Sequence, residues 1–282
     1  MNVDTVILMR PSLAEQEELE AAKFYFPVIT QRAYVNTNDL VICRYSSLPY
    51  HRELELDVEA MQAHLLNTTK HHSFVAEVRN WYDALKSHTF RTWFSLEEFK
   101  RELKTDKSMH GASFVLKGNT NSRKQLWNTH MFAANADAVD EVWRRLDQDT
   151  MIGSQDIVIR EYEPLRSFGK GIRDLPITEE YRFFVLYNTV VGKGFYWSQY
   201  PELVEEQVVD PEHVPMDWLQ PIIDEVSKSI NFFVVDVGRA EDGSWRLIEL
   251  NDGCMSGLSM VSPKQLYKNM HHKLDRMFGI LR

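Results

Sequence analysis

Two short apolar segments near the end of the chain, residues 231–237 and 245–251, constrain its fold more than any other feature of the sequence. Both segments are rich in β-branched, aromatic and aliphatic residues, and the turn-forming sequence 241–243 lies between them. Apolar runs that are separated by an Asp-Gly turn are typical of a β-hairpin. The sequence therefore predicts a pair of antiparallel strands, around which we expect the functional side chains to be arranged.

The predicted hairpin brings three oxygen-bearing side chains to one face. Side chains alternate between the two faces of a strand, so Glu249 and Asn251 point the same way, and Asp236 on the partner strand can oppose them. Carboxylate and amide oxygens are ligands that suit Mg²⁺. The alternative is that these residues form only the solvent-facing side of an amphipathic hairpin, and the hairpin by itself favours neither interpretation.

Composition limits the class of protein. The 282 residues are 44% hydrophobic and 26% charged, which is typical of a globular protein with material for one large domain or two to three subdomains. The formal net charge of −9 argues against a general nucleic-acid binder, which would need to neutralise phosphates. Cys43 and Cys254 are too few for a disulfide framework or a zinc cluster.

The sequence has neither a charged-then-apolar leader at Met1 nor an apolar run near 18 residues. We therefore expect a cytoplasmic protein with no membrane contact. Two adjacent histidine pairs, 71–72 and 271–272, are predicted to be surface or hydrogen-bonded histidines, because neighbouring side chains diverge too far to chelate one metal ion well.

The first part of the chain is predicted to be a small α/β unit. Residues 3–9 and 39–44 are apolar strand candidates, and a capping-box pattern at 12–15 predicts a helix to about Lys23. In such units ligands bind beyond the carboxyl ends of the strands. Three residues after the second strand are therefore candidates for substrate binding: Arg44, Ser46 and Ser47. A surface turn with an exposed arginine agrees equally well with this pattern.

Apolar spacing and capping patterns predict further elements along the chain. The predicted helices cover 53–66, 95–103, 137–146 and, after a linker at 211–221, a segment from Pro221 to Ser229. A second hairpin is predicted to join 179–186 to 190–197 through a turn at Asn188.

Lys117 lies at the end of a predicted strand, 113–118, and a small polar loop with two more cations follows at 119–124. A lysine on a buried strand has a desolvation cost unless an anion pairs with it. The loop offers backbone N–H groups and hydroxyls to a phosphate, although it is not a Walker A loop and a plain polar turn is the alternative. Arg160 and Arg182, inside strands, also require anionic partners, and salt bridges to Glu161 or Glu180 are the alternative to a bound ligand.

Taken in order, these segments resemble the ATP-grasp superfamily, and more narrowly its phage and bacterial clade named for two arginines and one lysine. The motifs of the resemblance are Lys117-Gly118-x-x-Asn121-Ser122-Arg123, Arg160-Glu161-Tyr162, Glu180-x-Arg182, Asp236, Glu249-x-Asn251, Arg44-x-Ser46-Ser47 and Trp81-Tyr82. They cover roughly residues 39–256. Each motif alone is weak, but their order and spacing are specific.

The resemblance implies an α+β chain with the ATP-grasp fold, in which two α+β lobes sandwich ATP, preceded by a small α/β domain. We assign the N-terminal domain to 1–85 and the ATP-grasp domain to 86–282, with lobes at about 86–159 and 160–282.

The resemblance also implies roles for individual residues. Lys117 would bind the α- and β-phosphates of ATP, and the loop that contains Gly118, Asn121, Ser122 and Arg123 would close over the triphosphate. Glu161 and Tyr162 would contact the adenine, and Glu180 or its neighbour Glu179 the ribose. Lys117, Arg160 and Arg182 would act on the transferred phosphoryl group. Two Mg²⁺ ions would be bound by Asp236, Glu249 and Asn251. The chain departs from many relatives at 252–254, where no proline is found.

The function that the resemblance implies is an ATP-dependent carboxylate–amine ligase that acts through an acyl-phosphate. Its expected partners are small-molecule or peptide carboxylates and amines, without nucleic acid. Two alternatives stay open: an ATP-binding assembly or interaction factor with the same fold, and a phosphotransferase that does not ligate.

Overall fold

A computed structural model describes residues 4–200, 202 and 209–279 of the chain. Within these residues, the strands form three four-stranded sheets and one two-stranded sheet. We call the three larger sheets N-terminal, middle and C-terminal, in the order in which the chain forms them. No helix in the described ranges is both long enough and apolar enough to cross a membrane.

The N-terminal sheet is parallel and has the strand order β2-β1-β3-β4. Its strands and the two helices that connect them are β1 (Thr5–Leu8), α1 (Gln16–Tyr25), β2 (Val28–Ile29), β3 (Leu40–Cys43), α2 (His51–Ala60) and β4 (His64–Leu65). Alternate residues of β1 and β3 face two different cores. Ile7 and Ile42 pack with residues of the C-terminal sheet, whereas Val6 and Val41 pack under α2, so the sheet is covered on both faces.

Two helix predictions in this region were wrong at their ends. The first helix begins at Gln16 rather than beside Ser12, and its N-terminal flanking residue, Glu15, makes no side-chain capping bond. The second ends at Ala60, because Gln62 adopts a left-handed backbone conformation with φ of 57°. That turn reverses the chain and allows His64–Leu65 to pair with β3 as a strand.

The middle sheet is antiparallel and has the order β5-β8-β6-β7. Two helices, α3 (Thr69–Ala76) and α4 (Val78–Leu85), lead into it. Its own elements are β5 (Thr92–Trp93), α5 (Leu96–Leu103), β6 (Phe114–Gly118), β7 (Phe132–Ala133), α6 (Val139–Asp147) and β8 (Ile157–Glu161). The capping pattern predicted at Ser95 is confirmed, since its hydroxyl accepts a bond from the Glu98 N–H at 3.0 Å. The lobe boundary that we placed after residue 159 falls inside β8.

The C-terminal sheet is antiparallel and contains both predicted hairpins, in the order β12-β11-β13-β14. The elements of this half are β9 (Ser167–Lys170), β10 (Pro176–Thr178), β11 (Glu180–Leu186), β12 (Thr189–Phe195), α7 (Met216–Val226), β13 (Phe232–Arg239), β14 (Trp245–Asp252) and α8 (Pro263–Phe278). The turn at Tyr187 and Asn188 has positive φ at both residues, 44° and 59°, as a tight hairpin turn requires. One face of the sheet packs on α7 and the other on α8.

Pro221 lies inside α7 and does not begin it, so the prediction of a linker up to this proline was wrong. A proline inside a helix removes a backbone hydrogen bond. Here the helix also buries an apolar stripe completely, and burial of several such side chains outweighs the lost bond. The stripe consists of Leu219, Ile222, Ile223 and Val226.

Candidate active site

The middle and C-terminal sheets meet along the strands that carry most of the predicted site residues. Lys117 on β6 donates to Glu249 on β14, with 2.9 Å between Nζ and Oε2. Arg160 on β8 donates to the carbonyl oxygen of Ile248 at 2.7 Å. These contacts cross between two sheets that share no strand, so they define a cleft with one sheet on each side.

Glu249 is charged in this setting. Burial by itself would raise the pKa of the carboxyl group, but the nearby ammonium groups of Lys117 and Lys124 lower the pKa far below its ordinary value. The carboxylate therefore stays ionised and available as an oxygen ligand across the physiological pH range.

The hairpin brings Asp236, Glu249 and Asn251 together as its pattern predicted. Asp236 is directly opposite Glu249 in the register of β13 and β14. The Asn251 amide nitrogen donates to both carboxylates, at 3.3 Å to Asp236 and 3.1 Å to Glu249. The face is partly or fully buried, so the interpretation of these residues as a solvent-facing surface does not hold.

The side-chain oxygens of Asp236, Glu249 and Asn251 fit Mg²⁺ as ligands when a nucleotide supplies the remaining ligands. Two carboxylates and an amide converge on one place, and the Asn251 NH₂ group between the carboxylates marks a position where positive charge is favourable. In the described part of the chain, no group of three or more His, Cys, Asp or Glu residues is arranged to hold a metal. Magnesium commonly uses one or two protein carboxylates plus substrate phosphates, and the cluster fits that pattern.

Arg182 already holds one of these carboxylates. Its guanidinium makes a two-pronged bond to Asp236, with distances of 2.9 and 2.8 Å, and its third nitrogen donates to the Gly257 carbonyl oxygen at 2.7 Å. Burial raises the pKa of Asp236, and the Arg182 charge opposes that rise. The arginine therefore fixes the Asp236 carboxylate, which is fully buried and lines neither cavity, and offsets its negative charge.

The first cavity of the cleft, with an empty volume of about 840 Å³ that includes its open mouth, lies between the two sheets. Its wall includes Lys117, Tyr162, Glu180, Trp197, Ile248 and Glu249. Tyr162 packs edge-on against Phe132, and Trp127 stacks on Phe132, so an aromatic cluster closes one end. A mostly apolar slot whose wall includes Trp127 and Tyr162 fits a nucleobase.

Glu180, rather than Glu179, faces this cavity. Its carboxylate accepts bonds from the Thr178 hydroxyl and from Trp197 Nε1, and burial raises its pKa. Glu179 points to the opposite face, where it accepts from Arg166 at 3.0 Å and from the Tyr181 hydroxyl at 3.2 Å. The ambiguity between the two glutamates is resolved in favour of Glu180 as the residue in the cleft wall.

Arg160 is a buried cation in the first cavity with no carboxylate partner among the described residues. It donates to the Ile248 carbonyl and the Thr89 hydroxyl, and its Nε atom has no partner within the same part of the chain. Burial lowers its pKa to about 10. An unpaired buried guanidinium in a cavity wall is a site for an anionic ligand.

Some side chains of the loop after β6 face the cleft, and others point away from it. Asn121 and Ser122 line the cleft, whereas Arg123 turns away and pairs with Asp149 at 2.7 Å. Arg123, which we predicted to bind phosphate, does not line the first cavity, because Asp149 holds its guanidinium. Gly118 allows close packing, since a Cβ atom there would lie 2.7 Å from the Gln155 side-chain oxygen.

Lys124 is a site residue that the motif comparison did not single out. Its Nζ donates to the Tyr196 hydroxyl at 2.7 Å and lies 5.2 Å from the Trp197 ring centre. Burial would lower the pKa of the ammonium, but Tyr196, Glu249 and Glu180 raise it above the ordinary value. The sequence showed that the loop contains two cations, but it did not show which of them faces the cleft.

The second cavity, with an empty volume of about 770 Å³, adjoins the first at Glu249, which lines both. Its wall includes Ser46, which follows β3 of the N-terminal sheet, together with His72, Asn121, Arg182, Asn251 and Ser256. The residue after Ser46, Ser47, is buried, and its hydroxyl makes no hydrogen bond to any described residue. A ligand in the second cavity would thus contact three different parts of the chain.

Arg44 does not line this cavity, contrary to the sequence-based expectation that it contacts a substrate acid. Its guanidinium is buried, pairs with Glu18 at 2.7 Å, and donates to the carbonyl oxygens of Gly253 and Ser256. All three nitrogens are therefore engaged by the protein. We do not propose Arg44 as a substrate ligand; it fixes the loop after β14 to the end of β3 in the N-terminal sheet.

Comparisons with known proteins agree with this architecture. Residues 108–270 match a family of ATP-grasp domains, the third family of the clade that is named for two arginines and one lysine. No curated protein gives a significant match to the chain.

Solved structures give full-length matches at low identity. The RimK domain protein ATP-grasp from Sphaerobacter thermophilus is 13% identical over 95% of this chain and 99% of its own, with a TM-score of 0.55. D-alanyl-alanine synthetase A from Vibrio cholerae is 13% identical over 99% and 98%, also with 0.55. The ATP-grasp ligase PsnB in complex with minimal precursor is 11% identical over 97% and 99%, with 0.57. PsnB with minimal precursor, Mg and ADP gives 13% over 90% and 91%, with 0.51.

At these identities the structural matches establish the fold, and the α+β ATP-grasp architecture expected from the sequence is confirmed. The family match covers more than half of the chain. The chain therefore belongs to the ATP-grasp superfamily, in the third family of the clade named for two arginines and one lysine.

Proposed function

We propose that the protein is an ATP-dependent ligase that joins a carboxylate to an amine, forming a C–N bond through an acyl-phosphate intermediate. The observation that carries this proposal is the position of Glu249, which lies in the walls of both cavities and pairs with Lys117. A nucleotide whose base occupies the first cavity would have its phosphates at this junction. A substrate in the second cavity would then meet the terminal phosphate there.

Different residues of the cleft would bind the base, the ribose and the phosphates of the nucleotide. Tyr162 and the adjoining Glu161 end the aromatic slot, where an adenine fits, and Glu180 offers a carboxylate to the ribose hydroxyls. Lys117, Lys124 and Arg160 supply positive charge beside the slot. The phosphate loop would contribute Gly118, Asn121 and Ser122, while Arg123 anchors that loop to Asp149.

Phosphoryl transfer needs little covalent help from a protein, so positioning and charge neutralisation are the main catalytic contributions. Lys117 and Arg160 would neutralise charge on the phosphates, and Arg182 would hold Asp236 in place. Asp236, Glu249 and Asn251 would bind Mg²⁺, which supplies electrostatic stabilisation of the transferred phosphoryl group. The carboxylate oxygen of the first substrate would attack the γ-phosphorus in line, and ADP would leave as the bond to its terminal oxygen breaks. The amine nitrogen would then bond to the acyl carbon of the acyl-phosphate and displace phosphate.

The second cavity supports substrates that are small molecules or peptide ends. It is open and lined by polar groups, and one of its walls comes from the N-terminal domain. Among proteins with this fold, D-alanyl-alanine synthetase A is named for a dipeptide product, and PsnB was solved with the precursor peptide PsnA2. We propose the same general class of substrates for this chain, either free or at the end of a peptide.

A screen for ATP-dependent ADP release tests the proposal. Amino acids and short peptides are offered in pairs with ATP and Mg²⁺, and mass spectrometry examines the products. An amide that forms with one ADP per bond supports the ligase. A phosphorylated substrate without an amide would make the protein a phosphotransferase, and nucleotide binding without ADP release for any pair would favour the binding-factor alternative.

A further inference from the structure

His72 and Asp252 form a pair at the second cavity that nucleotide binding does not use. His72 lies on α3, and its Nδ1 atom is 3.2 Å from Asp252 Oδ2 at the end of β14. The other carboxylate oxygen accepts from Asn67 Nδ2 at 2.7 Å and from the Cys254 backbone N–H at 2.8 Å. The carboxylate is therefore held by three donors and cannot reorient without breaking them.

The contact with Asp252 determines which ring nitrogen carries the hydrogen in the neutral imidazole. When Nδ1 donates its hydrogen to Asp252, Nε2 is the basic nitrogen of the neutral ring. Among the residues that the structure describes, none bonds to Nε2. The His72 side chain is 16% exposed and lines the second cavity with Arg182 and Asn251.

We propose that His72 is the general base that takes a proton from the amine substrate, and that Asp252 is the residue that positions it. The inference rests on the proposed ligase function and identifies the second cavity as the site of the amine. A carboxylate that orients a histidine toward a reacting group is a common device in acyl transfer. The bland alternative is a buried contact that only fastens α3 to β14.

The step balances without any further reactant. The neutral amine nitrogen bonds to the acyl carbon, and the bond between that carbon and the phosphate oxygen breaks. The phosphate leaves with the electron pair of that bond. One proton passes from the nitrogen to His72 Nε2 and then to the phosphate or to water, so the products are the amide and hydrogen phosphate.

The test compares two nucleophiles in His72→Gln. The substrates are an acid and an amine that give an amide in the screen described above, and hydroxylamine replaces the amine in a parallel assay. Hydroxylamine is unprotonated at neutral pH and reacts with acyl-phosphates without a general base. We expect amide formation to fall by about a hundredfold or more, the usual contribution of a general base, while hydroxamate formation stays close to that of the wild type.

Controls separate this role from a structural one. His71→Gln changes the neighbouring residue, which caps α3 through Thr68, and should leave both products unchanged. Asp252→Asn should reproduce the split between amide and hydroxamate. Thermal unfolding verifies that each variant is folded, and His72→Asn serves as the second substitution if His72→Gln is not.

Each remaining outcome contradicts either the role of His72 or the acyl-phosphate function on which that role rests. Equal loss of amide and hydroxamate in the His72 variants would place His72 before the acceptor step and overturn the inference. Unchanged amide formation would overturn it as well. A wild-type protein that yields no hydroxamate with any acid would instead overturn the acyl-phosphate function on which the inference rests.

Discussion

Lys117 and Glu249 form an ion pair between two different sheets, with Nζ and Oε2 2.9 Å apart. The pair closes the junction between the two cavities, since Lys117 lines the first and Glu249 lines both. In our proposal a nucleotide phosphate replaces Glu249 as the ionic partner of Lys117, and Glu249 is then free to bind a cation.

Glu249→Gln should leave the fold intact and abolish ADP release. Glutamine keeps the volume of the side chain and can still accept a bond from Lys117, but it lacks the negative charge that Mg²⁺ requires. Circular dichroism and thermal unfolding measure the fold, and a coupled assay measures ADP. The matched control is Glu59→Gln, an exposed position on α2. Turnover at the wild-type rate in Glu249→Gln would remove this carboxylate from the proposed site.

Arg160→Met should have opposite effects on stability and on binding. No carboxylate among the described residues pairs with this buried guanidinium, so its loss should leave the free energy of unfolding unchanged or higher. Affinity for ATP should fall by about tenfold or more, the value of a charge-assisted bond of about 1.5–3 kcal/mol. Urea unfolding and titration calorimetry measure the two quantities. A destabilised variant with unchanged ATP affinity would make Arg160 a purely structural residue.

Arg44→Met should destabilise the protein by about 3–5 kcal/mol, because it leaves the Glu18 carboxylate buried without its cation. The double variant Arg44→Met with Glu18→Gln should recover part of that loss, since the uncompensated charge is gone. Urea unfolding of the wild type, the two single variants and the double variant gives the coupling. A variant of wild-type stability that has only lost affinity for the acid substrate would restore the assignment we made from the sequence.

The sequence indicated the hairpins and the ordered motifs well, because strand alternation is a local property. Glu249, Asn251 and Asp236 converge as the alternation predicts. The partners of the cations were not predictable in the same way. Arg44 binds Glu18 and Arg123 binds Asp149, contacts that span 26 residues in both cases and depend on how elements pack. Lys124 faces the cleft for the same reason, since its orientation follows from a turn of the loop and from Tyr196.

The Asp149 carboxylate gives a stability contribution that depends on pH. Its bond from Arg123, together with backbone N–H donors of Met151 and Ile152, lowers the pKa to about 2 from an ordinary value of 3.8. A lowered pKa in the folded state adds stability above the unfolded pKa, and this stability is lost as pH falls through the folded pKa. Unfolding of wild type and Asp149→Asn should therefore differ most above about pH 4 and converge near pH 2. A difference that stays constant over this range would contradict the assignment.

The neighbours Glu179 and Glu180 allow the ribose contact to be tested with a matched pair. Both side chains are buried and hydrogen-bonded, but only Glu180 lines the first cavity. Replacing either by methionine removes the acceptor of buried donors, so both variants should lose about 1–3 kcal/mol of stability.

Glu180→Met alone should change the choice of nucleotide. A carboxylate that accepts a bond from the ribose 2′-hydroxyl favours ATP over 2′-deoxy-ATP, by about tenfold or more for one charge-assisted bond of about 1.5–3 kcal/mol. Calorimetry with both nucleotides should show this preference in the wild type and in Glu179→Met, and its loss in Glu180→Met. Because the two substitutions are identical in chemistry and adjacent in the chain, a general loosening of β11 would reduce the preference in both. A preference that persists in Glu180→Met would place the ribose elsewhere in the cavity and leave Glu180 with only its bonds to Thr178 and Trp197.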